Sequence, residues 1–135
     1  MTEHHTDDLH DRLRARPDER FAGNSRMFDV DASLRDLRAE APPTQRGHRQ
    51  ITLFKQRAVT QVLFAFDAGS ALANHVAHGL VTIHVVDGRL SVQADGQEHA
   101  LSTGQLLILN PDVAHDVRAA EPSAMLLTVH LDDKP

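Results

Sequence analysis

The sequence predicts an all-β sandwich or barrel, and three observations carry that prediction. Runs rich in Val, Ile, Leu, Phe and Thr follow one another almost without interruption from Gln50 to Leu131. Turn residues separate them at short, regular intervals. Two of the separators are the Asp-Gly pairs Asp87-Gly88 and Asp95-Gly96, the dipeptide that two-residue hairpin turns favour because both central positions need positive φ. The chain has 135 residues, enough for one domain that buries roughly two-thirds of its unfolded surface in a single core.

From the N-terminus, residues 1–26 alternate Asp, Glu, Arg and His around few apolar positions. Such a composition repays little of the entropy of ordering, so a mobile polar tail is expected, with metal capture by His4, His5 and His10 as the alternative. Residues 27–49 read as a helical arm and linker. Within them, "ASLRDLRA" predicts a short helix from about Ala32 to Ala39. Asp31 is the expected cap, Leu34 and Leu37 share one face, and Pro42-Pro43 prevent continuation. Nine strands are expected after that, at 50–56, 58–66, 71–76, 80–87, 89–94, 97–101, 105–109, 115–119 and 124–131, leaving 132–135 as a C-terminal tail.

Counting register across Asp87-Gly88 as a hairpin pairs Val86 with Arg89, Val85 with Leu90, His84 with Ser91 and Ile83 with Val92. One face is then Val81, Ile83, Val85, Leu90, Val92 and Ala94, wholly apolar, and the other is Thr82, His84, Val86, Arg89, Ser91 and Gln93, mostly polar. The apolar face is the expected interior, which puts His84 outside as a solvated or interface histidine. Across Asp95-Gly96 the same count pairs Val92 with His99 and points His99 inward.

Composition removes several chemistries. There is no cysteine, which excludes disulfides, thiolate metal sites and cysteine nucleophiles. The net charge is −5, and twelve arginines and two lysines are interleaved with acids, which argues against a nucleic-acid surface. No apolar run approaches the ~20 residues that span a bilayer, and the N-terminus has no apolar signal core. A cytoplasmic protein with no membrane partner is expected. Gly-x-Gly-x-x-Gly, Gly-Lys-Ser/Thr and Gly-x-Ser-x-Gly are all missing, so nucleotide cradles and nucleophile elbows find no support.

The stretch "GSALANHVAHGLVTIHVVDG" resembles the first motif of the cupin family: Gly, five residues, His-x-His, three or four residues, Glu, six residues, Gly. Gly69, His75 and Gly88 fall on the pattern, while Ala77 takes the second histidine position and Val81 the glutamate position. The second cupin motif is Gly, five residues, Pro-x-Gly, two residues, His, three residues, Asn. Gly104 and His115 match it; Asn110 stands for the proline, with Pro111 one residue later, Asp112 for the glycine and Ala119 for the asparagine. The resemblance covers residues 50–131 and implies a single cupin jelly-roll β-barrel, commonly dimeric, with a depleted metal site.

Cupins often hold Fe, Mn, Ni, Cu or Zn through three histidines and a glutamate, and only His75 and His115 inherit that role residue by residue. His78 lies one position beyond the usual second histidine, where Gly79 permits a loop that turns its ring inward. His75, His78 and His115 are therefore the candidate ligands of a divalent metal, against a loop histidine facing solvent for His78 and buried hydrogen-bonded rings for the other two. Asp112 and Asp116 flank His115 and are candidates for orienting its ring, or are simply solvated loop acids. Three functions compete. One is a metal-dependent oxygenase or isomerase acting on a small molecule in the barrel. Another is a metal-free module that binds a small ligand. The third is a homodimeric interaction protein.

Overall fold

The computed structural model describes residues 24–41 and 47–131. Residues 1–23 of the expected 1–26 tail, with His4, His5 and His10, the Pro42-Pro43 stop and residues 132–135 lie outside the described residues.

Among the described residues one helix precedes the strands: α1, Val30–Arg38. Its cap is Asp29, whose side chain accepts from the Ala32 N–H at 3.0 Å. The expected cap, Asp31, sits inside the first turn instead, where a carboxylate still favours the helix dipole. The correction has a simple cause: Asp29 keeps extended backbone (φ −92°, ψ 99°), as a capping residue must, and stands three residues before the amide it satisfies. A nine-residue helix is too short to persist alone. It is held by Leu34 and Leu37, buried against Leu53, Leu63, Ala65 and Ala124, and by the Arg38 guanidinium, which donates to Asp87 at 2.9 Å.

All nine expected strands form: β1 (His48–Gln56), β2 (Val59–Phe66), β3 (Ala71–His75), β4 (Gly79–Asp87), β5 (Arg89–Ala94), β6 (Gln97–Ser102), β7 (Leu106–Leu109), β8 (His115–Arg118) and β9 (Ser123–Leu131). They build two antiparallel sheets, β1-β2-β9-β4-β7 and β3-β8-β5-β6, facing one another as a jelly roll. Between them lies the main core, with Phe64, Phe66, Ile83, Val85, Val92, Val117 and Met125 at its centre. β1 begins at His48, whose fully buried ring lies 5.7 Å from that of Phe64 and 5.9 Å from that of Phe66. The helix covers part of the outer face of the five-stranded sheet.

The expected pairing of β4 with β5 does not form. β4 pairs with β7 and β9, and β5 with β6 and β8, so Asp87-Gly88 is a corner where the chain passes from one sheet to the other. A type I′ turn needs positive φ at both central residues, and here only Gly88 has it, at +89°. The face assignment survives because alternation within a strand is independent of its partners. Val81, Ile83 and Val85 point inward from one sheet, and Leu90, Val92 and Ala94 from the other. At the second Asp-Gly pair both φ values are positive, +53° and +74°, and the hairpin pairs Ala94 with Gln97 and Val92 with His99 as expected. His84 lies on the outer face, half-buried between Leu106 and Leu126.

Candidate functional site at the His75–His115 end

β3 and β8 bring the two motif histidines together. Leu72 stands opposite Val117 and faces the core, so uninterrupted antiparallel pairing would set Asn74 opposite His115. Instead the register shifts between Leu72 and His75, and His75 becomes the partner of His115. The extra residue is accommodated at Asn74, in the left-handed region at φ +55°, a conformation that asparagine tolerates better than most residues. Its N–H donates to the Asp116 carboxylate at 2.6 Å. The bulge thus gives His75 the same face as His115, with ring centroids 5.9 Å apart and ring planes at 46°.

The two rings differ in setting. His115 is 5 % exposed, and its Nδ1 donates to the Val113 carbonyl at 3.1 Å. A carbonyl only accepts, so the proton is on Nδ1 and the neutral ring keeps a lone pair at Nε2. His75 is at the exposed rim. On the loops beside them Ala77 and Val113 pack partly buried against the core, and Val81, 2 % exposed, faces that core from β4 between Leu109 and Val129.

His78 lies apart from this pair. Its side chain is 88 % exposed, and its Nδ1 is 2.8 Å from Asp112 Oδ1. The Asp112 N–H in turn donates to the Ala77 carbonyl at 2.8 Å, which clasps the 76–78 loop to the loop that precedes β8. The acids flanking His115 have other partners: Asp116 serves the Asn74 bulge and Asp112 serves His78. The His115 ring bonds to the backbone, two residues back in its own loop.

A four-ligand metal centre needs donors at the second histidine and glutamate positions, and Ala77 and Val81 offer methyl groups packed into the core. Among the described residues no group of three or more His, Asp or Glu side chains has the geometry to hold a metal ion. The residues present do not fit the three-histidine, one-glutamate centre. Sequence reasoning missed the Asn74 bulge and the buried His48. The signal for the bulge was present only as an asparagine directly before His75 and an aspartate directly after His115.

The fold and the two histidines placed by its motifs define a small cupin. The family model described as "Cupin domain" matches residues 62–130, and the chain belongs to that family. No curated protein matches it. Solved structures similar to it include a conserved protein of unknown function from Streptococcus pyogenes (18 % identity over 83 % of this chain and 92 % of that one, TM-score 0.65). An RmlC-like cupin from Shewanella frigidimarina is 21 % identical over 70 % and 86 %, with a TM-score of 0.63. A salicylate 1,2-dioxygenase from Pseudoaminobacter salicylatoxidans is 14 % identical over 76 % of this chain and 34 % of its own, with a TM-score of 0.66. At these identities the likeness is one of fold.

Proposed function

We propose that this cupin binds a small oxygen-bearing molecule at the His75–His115 end and holds it by hydrogen bonds with the two rings. The observation that carries this reading is the juxtaposition of the rings, His75 opposite His115 with centroids 5.9 Å apart, at strand ends whose loops pack Ala77 and Val113 against the apolar core, a mix of polar and apolar groups that suits small-molecule binding. His115 offers Nε2 as an acceptor, and its bond to Val113 fixes the ring's orientation. His75 adds a second ring at the rim. A hydroxyl group, which can donate to that nitrogen, is the matching chemistry.

A second reading takes His75, His78 and His115 as ligands of a divalent Fe, Mn, Zn, Ni or Cu ion in a metal-dependent oxygenase or isomerase. The Nδ1–H bond of His115 supports it, since ligating histidines commonly donate their other nitrogen to a carbonyl or carboxylate. It requires the 76–78 loop to release Asp112. Elemental analysis of protein purified without added metal, before and after chelation, separates the two readings. The ligand-binding reading expects far less than one metal per chain and no change in melting point on chelation. It also expects small alcohols that stabilise the protein to lose that effect in His75→Ala and His115→Ala. One tightly held equivalent of metal would overturn it in favour of the second.

We also propose a cytoplasmic homodimer. β7 is the edge strand of its sheet, and its Leu106 and Ile108 are each 55 % exposed. A second copy of the same strand is a self-complementary cover for them under two-fold symmetry. Light scattering should give twice the chain mass of 14.9 kDa, and Leu106→Lys with Ile108→Lys should return it to one; a monomeric wild type overturns the proposal.

A further inference from the structure

The outer face of the four-stranded sheet carries polar side chains that the His75–His115 end does not use. Ser91 stands opposite Arg118 on one flank and Ala100 on the other, and Arg89 stands opposite Ser102. Leu90, Val92 and Val117 point into the core, so Arg89, Ser91, Arg118 and Ala100 all point away from it. Arg89 and Arg118 are diagonal cross-strand neighbours, a spacing of ~7–8 Å that long side chains readily bridge. With Glu98 and Ala120 they line a concave groove of about 520 Å³.

Two features make this groove a site for an anion. The first is a pair of guanidiniums without an ion-pair partner. Among the described residues, ion pairs join Arg38 to Asp87, Arg49 to Asp67 and His78 to Asp112, and neither Arg89 nor Arg118 has a side-chain partner. The acid that shares the groove, Glu98, accepts from the Ser91 hydroxyl at 2.6 Å. Neighbouring like charges across strands repel, and an anion between the guanidiniums converts that repulsion into two charge-assisted contacts. The second feature is room. Ala100 and Ala120 bring only methyl groups to the groove, so its floor is low where the arginines flank it.

We propose that Arg89 and Arg118 form a binding site for a small carboxylate- or phosphate-bearing molecule on this outer face, separate from the His75–His115 end. Planar guanidinium forks match the paired oxygens of either anion. A long polyanion is disfavoured by Glu98 within the groove and by the net charge of −5.

Isothermal titration of the full chain with inorganic phosphate and, separately, with succinate, at ionic strength held constant with sodium chloride, tests the site. Saturable binding of one anion per chain is expected for at least one probe, and which probe binds tells phosphate from carboxylate. Arg89→Ala and Arg118→Ala should each weaken it roughly tenfold or more, since a hydrogen bond to a charged group is at stake. Arg89→Lys and Arg118→Lys should retain part of the affinity. His115→Ala should leave it unchanged. Absence of saturable binding with both probes overturns the proposal, as does binding that persists when both arginines are alanine, or binding that His115→Ala abolishes.

Discussion

The Asp116 carboxylate accepts a hydrogen bond from the Asn74 N–H at 2.6 Å, and that bond lies across the strand pair that carries His75 and His115. Asn74 is the residue whose positive φ shifts β3 by one position. Asp116 therefore supports the histidine pair through the backbone of the neighbouring strand.

Replacing Asp116 by Ala should loosen the bulge while leaving His115 in place, because the His115 ring is bonded to the Val113 carbonyl. A stability loss of about 1–3 kcal/mol is expected, the usual cost of losing a hydrogen bond to a charged group. Histidine NMR resonances are the sharper measurement: those of His75 should move or broaden, and those of His115 should stay near their wild-type positions. Equal disturbance of both rings would show that Asp116 acts on the whole strand pair.

Asn74 itself separates conformation from side-chain chemistry. Glycine reaches φ +55° without steric cost, so Asn74→Gly should change the melting point little. Asn74→Val should cost about 1–2 kcal/mol or more, since a β-branched residue is strained in the left-handed region. If valine were tolerated as well as glycine, the bulge would not be what sets His75 opposite His115.

Strand positions and faces were legible in the sequence because period-two alternation and turn residues are local properties. Partners were not. Asp87-Gly88 and Asp95-Gly96 are the same dipeptide, yet the first carries the chain between sheets. What distinguishes them comes from remote residues: Arg38 pairs with Asp87, and the Gly88 N–H donates to the Thr103 hydroxyl at 3.0 Å. The site was legible to a similar depth. Motif spacing located His75 and His115, but their juxtaposition depends on a bond between residues 42 apart. The direction of the His78 ring likewise follows from Asp112, 34 residues further on.

The helix offers a prediction about the second, smaller core. Leu37 is 1 % exposed and Leu34 6 %, and both close over Leu63 and Ala65. Leu37→Ala should destabilise the chain by about 2–5 kcal/mol through lost burial and the cavity left behind. The loss should appear as a lower midpoint in urea with an unchanged slope. A loss below about 1 kcal/mol would mean that the sheet's outer face closes over without the helix.

Val81→Glu tests the end of the sandwich most directly, because it restores a carboxylate at the cupin glutamate position, which here is 2 % exposed and faces the core. An ionised carboxylate placed among Leu109, Val129 and their neighbours has no partner in that core, and burying it should cost several kcal/mol unless it takes up a proton. That is a large share of the ~5–15 kcal/mol that holds a domain together. The histidine pair then gives the mutant a way out. If the new carboxylate shares a centre with His75 and His115, added zinc or manganese should raise the mutant's melting point well above any effect on the wild type, because metal binding to the folded state alone is transferred directly into stability. Adding His115→Ala to Val81→Glu should abolish that rescue while leaving the metal-free destabilisation in place. Rescue that survived the second substitution would locate the metal elsewhere, and a Val81→Glu protein as stable as the wild type without metal would contradict the burial of position 81.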